Sequence, residues 1–334
     1  MDMDKVYIVL LNYNAWQDTV ACIQSILKQS YAQYEIVVVD NMSTNDSRTQ
    51  LITWARQLPA AQGWQLLQYN HLQFDTITGN PQPVISFIWS DKNGGFAYGN
   101  NIGMRYSLQQ TGPHFIWLLN NDTVVFEDTL TNMVRFFIQQ QAVQKTGMAG
   151  CLQLYYHDPS QVQIMYGRYN YRFGLASEYG ARMPLQQAQQ LPDVPVDYLS
   201  GACMLTHSSV IERIGLMSED YFLFFEELDL AVRLKNAGYA LVYCKDARIL
   251  HKHGVSINGG TTSGTRPFAD YHHFRSEYIF VRKYYRRYIL FYLLVTGMQL
   301  TNRLIRGRFS NLKALVKGTM DGLRYTPQKK EQAL

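Results

Sequence analysis

The chain has 334 residues, 47% of them hydrophobic and 17% charged. That balance excludes a disordered or low-complexity chain, and the length allows one large domain or two. The net charge of +5 is mild and unevenly spread; no nucleic-acid partner is expected.

Residues 6–11 (VYIVLL) form a continuous apolar run, the mark of a strand buried on both faces. The run ends in Asn12-Tyr13-Asn14. Residues 16–29 read as a helix with Val20, Ile23, Ile26 and Leu27 on one face. Residues 35–39 (EIVVV) read as a second buried strand ending in Asp40-Asn41. Ser43, Thr44, Asn45 and Asp46 then supply a turn and a cap for a helix over 47–57. Strand, helix, strand, helix predicts a parallel α/β sheet, in which ligands bind at the carboxyl ends of the strands. Both polar tips lie there. No GxGxxG follows the first strand, which counts against a nicotinamide enzyme.

Residues 64–68 and 84–89 read as strands, with a polar, hairpin-like excursion over 70–84 that carries no assigned chemistry. Residues 93–103 (NGGFAYGNNIG) read as a loop rich in glycine and asparagine. It leads into a helix over 102–108 whose N-terminus suits phosphate. Residues 115–119 (FIWLL) are another buried strand, ending in Asn120-Asn121-Asp122-Thr123. A carboxylate at a strand tip can hold a divalent cation against a phosphate. A plain polar turn is the other reading of the same four residues.

Cys22, Cys151, Cys203 and Cys244 lie far apart among apolar residues and read as reduced core cysteines of an intracellular protein. Residues 221–234 (YFLFFEELDLAVRL) place aromatics ahead of Glu226, Glu227 and Asp229 at the start of a helical pattern. Asp229 can pair with Arg233 one turn on. The helix dipole alone favours acids in that turn. Further on, Arg282, Lys283, Arg286, Arg287, Arg303 and Arg306 follow the last nearby acid, Glu277. Such a basic tail suits a phosphate-rich partner or an anionic membrane surface, or is a solvated helix face. The apolar run over 288–295 is too short to span a bilayer, which takes ~20 residues. The chain opens MDMD and goes directly into a strand, so no signal peptide is expected.

Taken in order, LLNYN, VVVDNMSTNDS, NGGFAYGNNIG, LLNNDT, SGACML, FFEELDLAVRLKNAGY and ILHKHGVS resemble the family 2 glycosyltransferases of the GT-A fold. The resemblance is strongest to the bacterial rhamnosyltransferase-like branch that builds surface polysaccharides, and it covers roughly residues 5–285. It implies an α/β fold, a Rossmann-like, mostly parallel sheet flanked by helices. Residues 1–265 would form the catalytic domain, with a nucleotide-binding half over 1–125 and an acceptor half over 126–265. Residues 266–334 would form a basic helical extension, lying on a membrane surface or packed on the domain.

The resemblance also implies roles. Asn12, Tyr13 and Asp40 match positions that hold the nucleotide base and ribose. Asn93, Gly94 and Asn100 match the loop beside the nucleotide and donor sugar. Asn120-Asn121-Asp122 stands where the family has its DxD motif, with Asn121 beside the donor. The first Asp is replaced, so Asp122 alone is an anionic ligand for Mg²⁺ or Mn²⁺. His251 matches a histidine that completes the metal site, with His253 as the alternative. Glu227 stands at the general base, with Asp229 as the alternative. Ser200-Gly201-Ala202-Cys203-Met204 matches a small-residue stretch facing the acceptor, and residues 151–196 are expected to carry acceptor contacts. Arg275 is expected to approach the diphosphate.

The implied reaction is an inverting, metal-dependent sugar transfer from dTDP-rhamnose, a UDP-sugar or a GDP-sugar. The acceptor would be a hydroxyl of a growing surface polysaccharide or lipid-linked glycan. The protein would be cytoplasmic and peripheral on the inner face of the membrane. The alternative is a non-catalytic homologue that binds nucleotide sugars or glycans. A nucleotidyltransferase would want a Gly- and Arg-rich loop after the first strand. A two-carboxylate hydrolase would want its acids facing each other across a bond, not adjacent in sequence.

Overall fold

The computed structural model describes residues 4–59, 62–80, 82–192, 194–252 and 267–326. The first apolar run becomes β1 (Lys5–Asn12), followed by α1 (Trp16–Ile26), β2 (Tyr34–Asp40) and α2 (Ser47–Ala55). The polar excursion is a true antiparallel hairpin, β3 (Trp64–Asn70) and β4 (Gln73–Gly79), and β5 (Ile85–Trp89) closes it back onto the sheet. Next come α3 (Gly95–Leu108), β6 (His114–Asn120), β7 (Thr123–Val125) and α4 (Thr129–Gln141).

The second half contributes β8 (Thr146–Tyr155), β9 (Asp158–Ile164), the β10 (Tyr166–Asn170) and β11 (Leu175–Tyr179) hairpin, and a short α5 (Leu185–Gln190). It continues with β12 (Cys203–His207), α6 (Ser208–Ile214), α7 (Glu226–Asn236) and β13 (Ala240–His251). Three helices end the described chain: α8 (Pro267–Tyr284), α9 (Ile289–Ile305) and α10 (Phe309–Arg324).

The main sheet runs β4-β3-β5-β2-β1-β6-β12-β8-β13-β7, with β9 paired to β8. Its first half is parallel apart from β4, since β1 pairs in parallel with β2 and β6, and β5 with β2 and β3. β12 enters antiparallel between β6 and β8. The apolar runs are explained by burial on both faces. Val6, Ile8 and Leu10 pack into one core layer, Tyr7 and Val9 into the other. All four cysteines are free and buried, as their apolar settings predict.

One expectation needs correction. Residues 95–101 are not loop, because α3 begins at Gly95 rather than near Ile102. Glycine usually weakens a helix, but Gly99 and Gly103 lie on the face that meets β1. A Cβ at Gly99 would fall 2.2 Å from Leu11, and one at Gly103 would fall 2.4 Å from Val9. The glycines let the helix settle directly on the sheet, and tertiary burial outweighs the local propensity.

Candidate active site

Three strand tips meet at the carboxyl edge. In the parallel register Asn12 sits opposite Asp40, and Leu11 opposite Asn120. A buried side-chain relay ties them together. Asn121 donates to the Thr19 hydroxyl (2.9 Å), Thr19 donates to Asn12 Oδ1 (2.8 Å), and Asn12 donates to Asp40 Oδ2 (2.8 Å). The structure therefore brings Asn12, Asp40 and Asn121 together, through a threonine that the sequence did not single out.

Asp40 is fully buried and also accepts from the Ser43 amide and hydroxyl and from Arg48 Nε at 2.6 Å. Four donors fill the lone pairs of one carboxylate. What faces outward beside it is Tyr13, 36% exposed, and the partly exposed Arg48. The Arg48 guanidinium lies 5.5 Å from the Trp89 ring centre and donates to the Ser90 carbonyl.

Asn93 and Gly94 form the turn ahead of α3. Asn41 stitches this turn to the β2 tip, donating to Asn93 Oδ1 (3.0 Å) and to the Gly95 carbonyl (3.1 Å). Gly95 has φ +88°, and a Cβ there would lie 2.1 Å from the Phe222 carbonyl, which the Phe96 amide reaches at 2.9 Å. Glycine is required because two backbones touch, not because a ligand does. Asn100 lies one turn into α3 from Phe96. It is buried inside α3, and its amide donates to the Phe96 carbonyl.

Asp122 and His251 come together from residues far apart in sequence. β13 ends with His251 opposite Thr123 of β7, and the Lys252 amide donates to the Asp122 carbonyl. This brings Asp122 Oδ1 to 3.2 Å from His251 Nε2, with both side chains under 10% exposed. Adjacent ligands of an octahedral cation, each at ~2.1 Å, are about 3 Å apart, so the pair has the right bite for Mg²⁺ or Mn²⁺. Among the described residues no third Asp, Glu, His or Cys joins them. Such cations routinely complete their shell with water and substrate phosphate. His253 lies outside the described residues.

The acidic cluster sits where the sequence predicted, in the first turn of α7. Its approach is strained. Phe224 and Phe225 both have left-handed backbones, φ 67° and 72°, which bulky residues rarely adopt. Glu226 is 5% exposed, and its Oε2 has no hydrogen-bond partner among the described residues. Glu227 is partly exposed. Burial, then the adjacent Glu227 charge, pushes the Glu226 carboxyl well above the ordinary range, and burial also raises Glu227. Asp229, in the same turn, is fully engaged. It accepts from Arg233, Lys283, Tyr221 and Tyr284. Its desolvation is overcome by Arg233 and Lys283, and its carboxyl is held below the usual value. Asp229 is a structural brace, which leaves Glu226 and Glu227 as the uncommitted acids.

Helix α8 holds the strained turn in place. Arg275 donates to the Asp220 carbonyl and lies over Tyr325, while Ser276 donates to the Leu223 carbonyl. His272 stacks on Phe222, and His273 packs against Phe225. Burial pushes both imidazoles down to about 4. In this structure Arg275 is committed to that turn. In the small-residue stretch 200–204, the Ala202 carbonyl accepts from the Asn120 amide, and Gly201 abuts Phe96. The small-residue stretch therefore borders both the Asn120 strand tip and the first turn of α3. A cavity of about 380 Å³ lined by Tyr166, Tyr239 and Tyr243 lies at the far end of β13 from His251 and contains none of these residues.

The chain as a whole matches known proteins in sequence and in fold. The profile described as "Glycosyltransferase like family 2" matches residues 4–266. The low-salt glycan biosynthesis hexosyltransferase Agl10 of Haloferax volcanii is 20% identical over 99% of this chain and 94% of its own. An N-acetylglucosaminyl-diphospho-decaprenol L-rhamnosyltransferase of Mycobacterium tuberculosis is 33% identical over 29% of this chain and 30% of its own. A crystal structure of GalNAc-T7 with UDP, GalNAc and Mn²⁺ superposes with a TM-score of 0.61. That match is 12% identical and covers 86% of this chain and 49% of the other, a likeness of fold.

Proposed function

The chain belongs to glycosyltransferase family 2, and we propose that it moves a hexose or rhamnose from a nucleoside diphosphate to an acceptor hydroxyl with inversion. Its fold is the GT-A fold expected from the sequence. The observation that carries the mechanism is the convergence of Asp122 and His251 at the sheet edge. In this reading they hold a divalent cation, which would neutralise charge on the diphosphate leaving group.

Glu227 takes the proton of the acceptor hydroxyl. The acceptor oxygen bonds to the anomeric carbon on the face opposite the diphosphate as the carbon–oxygen bond to the diphosphate breaks. A carboxyl raised by burial is a better proton acceptor near neutral pH than an ordinary one. The Asn93–Gly94 turn and the exposed Tyr13 flank the nucleotide. Asn12, Asp40 and Asn121 act through the buried relay, with Asp40 orienting Arg48 and Ser43. Arg275 acts by bracing the turn ahead of α7.

The acceptor is a growing glycan, and a lipid-linked one fits best. The name of the mycobacterial relative gives that protein a decaprenol-linked substrate. Here α9 and α10 expose Leu290, Leu293, Leu294, Met298, Ile305 and Phe309 beside exposed Arg286, Arg287, Arg306 and Arg308. No described helix is long and apolar enough to cross a membrane. Contact would be with the bilayer surface.

The test is a thermal-shift panel of UDP, dTDP and GDP, each with and without Mn²⁺, on wild type and Asp122→Ala. A ligand that binds the folded state raises the melting temperature. One nucleotide should stabilise the protein, with Mn²⁺ and with Asp122 in place. Equal stabilisation of Asp122→Ala would remove Asp122 from the donor site.

A further inference from the structure

Gln163, on β9, is 3% exposed, and nothing in its sequence neighbourhood marks it. Its Oε1 lies 2.8 Å from His251 Nδ1. A carbonyl oxygen only accepts, so the ring nitrogen facing it carries the proton. That makes neutral His251 the Nδ1–H tautomer and leaves the lone pair on Nε2 facing Asp122 Oδ1 at 3.2 Å, an opposition of two acceptors that a cation held between them would relieve. Histidines that ligate metals commonly donate their second ring N–H in this way, which fixes ring and tautomer together.

The amide is held from one side. Gln163 Nε2 is also buried and has no hydrogen-bond partner among the described residues. Turned over, the amide would donate to Nδ1 and move the ring proton to Nε2. There it would point at Asp122, and a cation and that proton would compete for one lone pair. We propose that Gln163 is a positioning residue that selects the metal-ligating tautomer of His251. This rests on Asp122 and His251 being the cation ligands.

The experiment uses the full chain with ¹⁵N-labelled histidine, and Mn²⁺ alone as the probe. Nitrogen-15 spectra of the metal-free protein read the tautomer, with His251→Ala identifying the resonance. Paramagnetic resonance of free Mn²⁺ reads affinity. Wild type should show Nδ1–H at His251. Gln163→Leu should lose that signature and bind Mn²⁺ on the order of 10–100-fold more weakly. Gln163→Glu keeps an acceptor and should retain both. An Nε2–H signature in wild type overturns the proposal. So does Gln163→Leu binding Mn²⁺ as wild type does while His251→Ala binds weakly. If His251→Ala binds as wild type, the metal reading itself fails and this proposal falls with it. If the leucine variant does not fold, the glutamate variant decides: loss of the Nδ1–H signature there overturns the proposal.

Discussion

Ser276 donates its buried hydroxyl to the carbonyl of Leu223, 2.8 Å away, and so ties α8 to the turn that feeds the acidic helix. The turn stores strain in Phe224 and Phe225, and left-handed bulky residues persist only where the surroundings over-determine them. Ser276→Ala removes one such restraint. It should cost about 1 kcal/mol of stability and lower kcat severalfold with little change in donor KM. Steady-state kinetics and a melting curve check this. Unchanged kcat would mean the turn holds its shape without that bond.

Glu227 should set the acid limb of the rate. Burial raises both carboxyls of the pair above the ordinary 4.5, and a base must be ionised to act. Activity should therefore fall on acidification at a pH above 4.5, not below it. Glu227→Gln should lose on the order of 100-fold or more in kcat across the pH range. Glu226→Gln should keep substantial activity. The reverse pattern in the two pH profiles would exchange their roles.

Much of this was legible in the chain. VYIVLL, EIVVV and FIWLL are strands because a strand covered on both faces must be apolar throughout, and their polar tips come together at one edge of the sheet. The acids of residues 226–229 start a helix as their pattern indicates. Other features depend on contacts between distant segments. Thr19 and Gln163 matter through partners 102 and 88 residues away. Asp40 stands out in sequence only as an acid at a strand tip, and its partners Asn12, Ser43 and Arg48 are set by the fold. Asn100 reads as loop because glycines surround it, but those glycines serve helix-on-sheet packing.

Asp229 and Glu277 should give opposite pH responses. Asp229 is buried against Arg233 and Lys283 and its pKa is lowered. Its stabilisation is present above the ordinary value near 3.8 and is lost as pH falls through the lowered value. Asp229→Asn leaves two cations without their anion and should cost roughly 3–5 kcal/mol at pH 7. Glu277 is 4% exposed, and burial pushes it up to about 8. Its ionisation opposes folding, so wild type loses stability as pH rises from 4.5 towards 8, by up to about 1.4 kcal/mol per unit. Glu277→Gln should match wild type at pH 4 and exceed it at pH 9. Denaturant titrations at three pH values test both. A pH-independent difference for either variant would show that packing, not ionisation, sets its effect.

The α9–α10 pair makes the membrane prediction quantitative. Leu290, Leu293, Leu294 and Met298 follow helical spacing along one exposed face of α9, and Phe309, Val316 and Met320 do so on α10. Lys313 and Lys317 lie on the same stripe of α10 as Phe309. Apolar insertion and cation attraction to anionic lipid add together, and only the second is screened by salt. The protein should co-sediment with phosphatidylglycerol vesicles, bind phosphatidylcholine vesicles weakly, and lose affinity as salt is raised. Lys313→Glu with Lys317→Glu should remove most of the salt-sensitive part, while Leu293→Ser with Leu294→Ser should weaken binding at every salt concentration. Neither pair touches the sheet edge, so transfer to a soluble acceptor should be unchanged in both. Equal binding to neutral and anionic vesicles would leave the basic residues without a lipid role, and no binding to either would remove the membrane reading of this face.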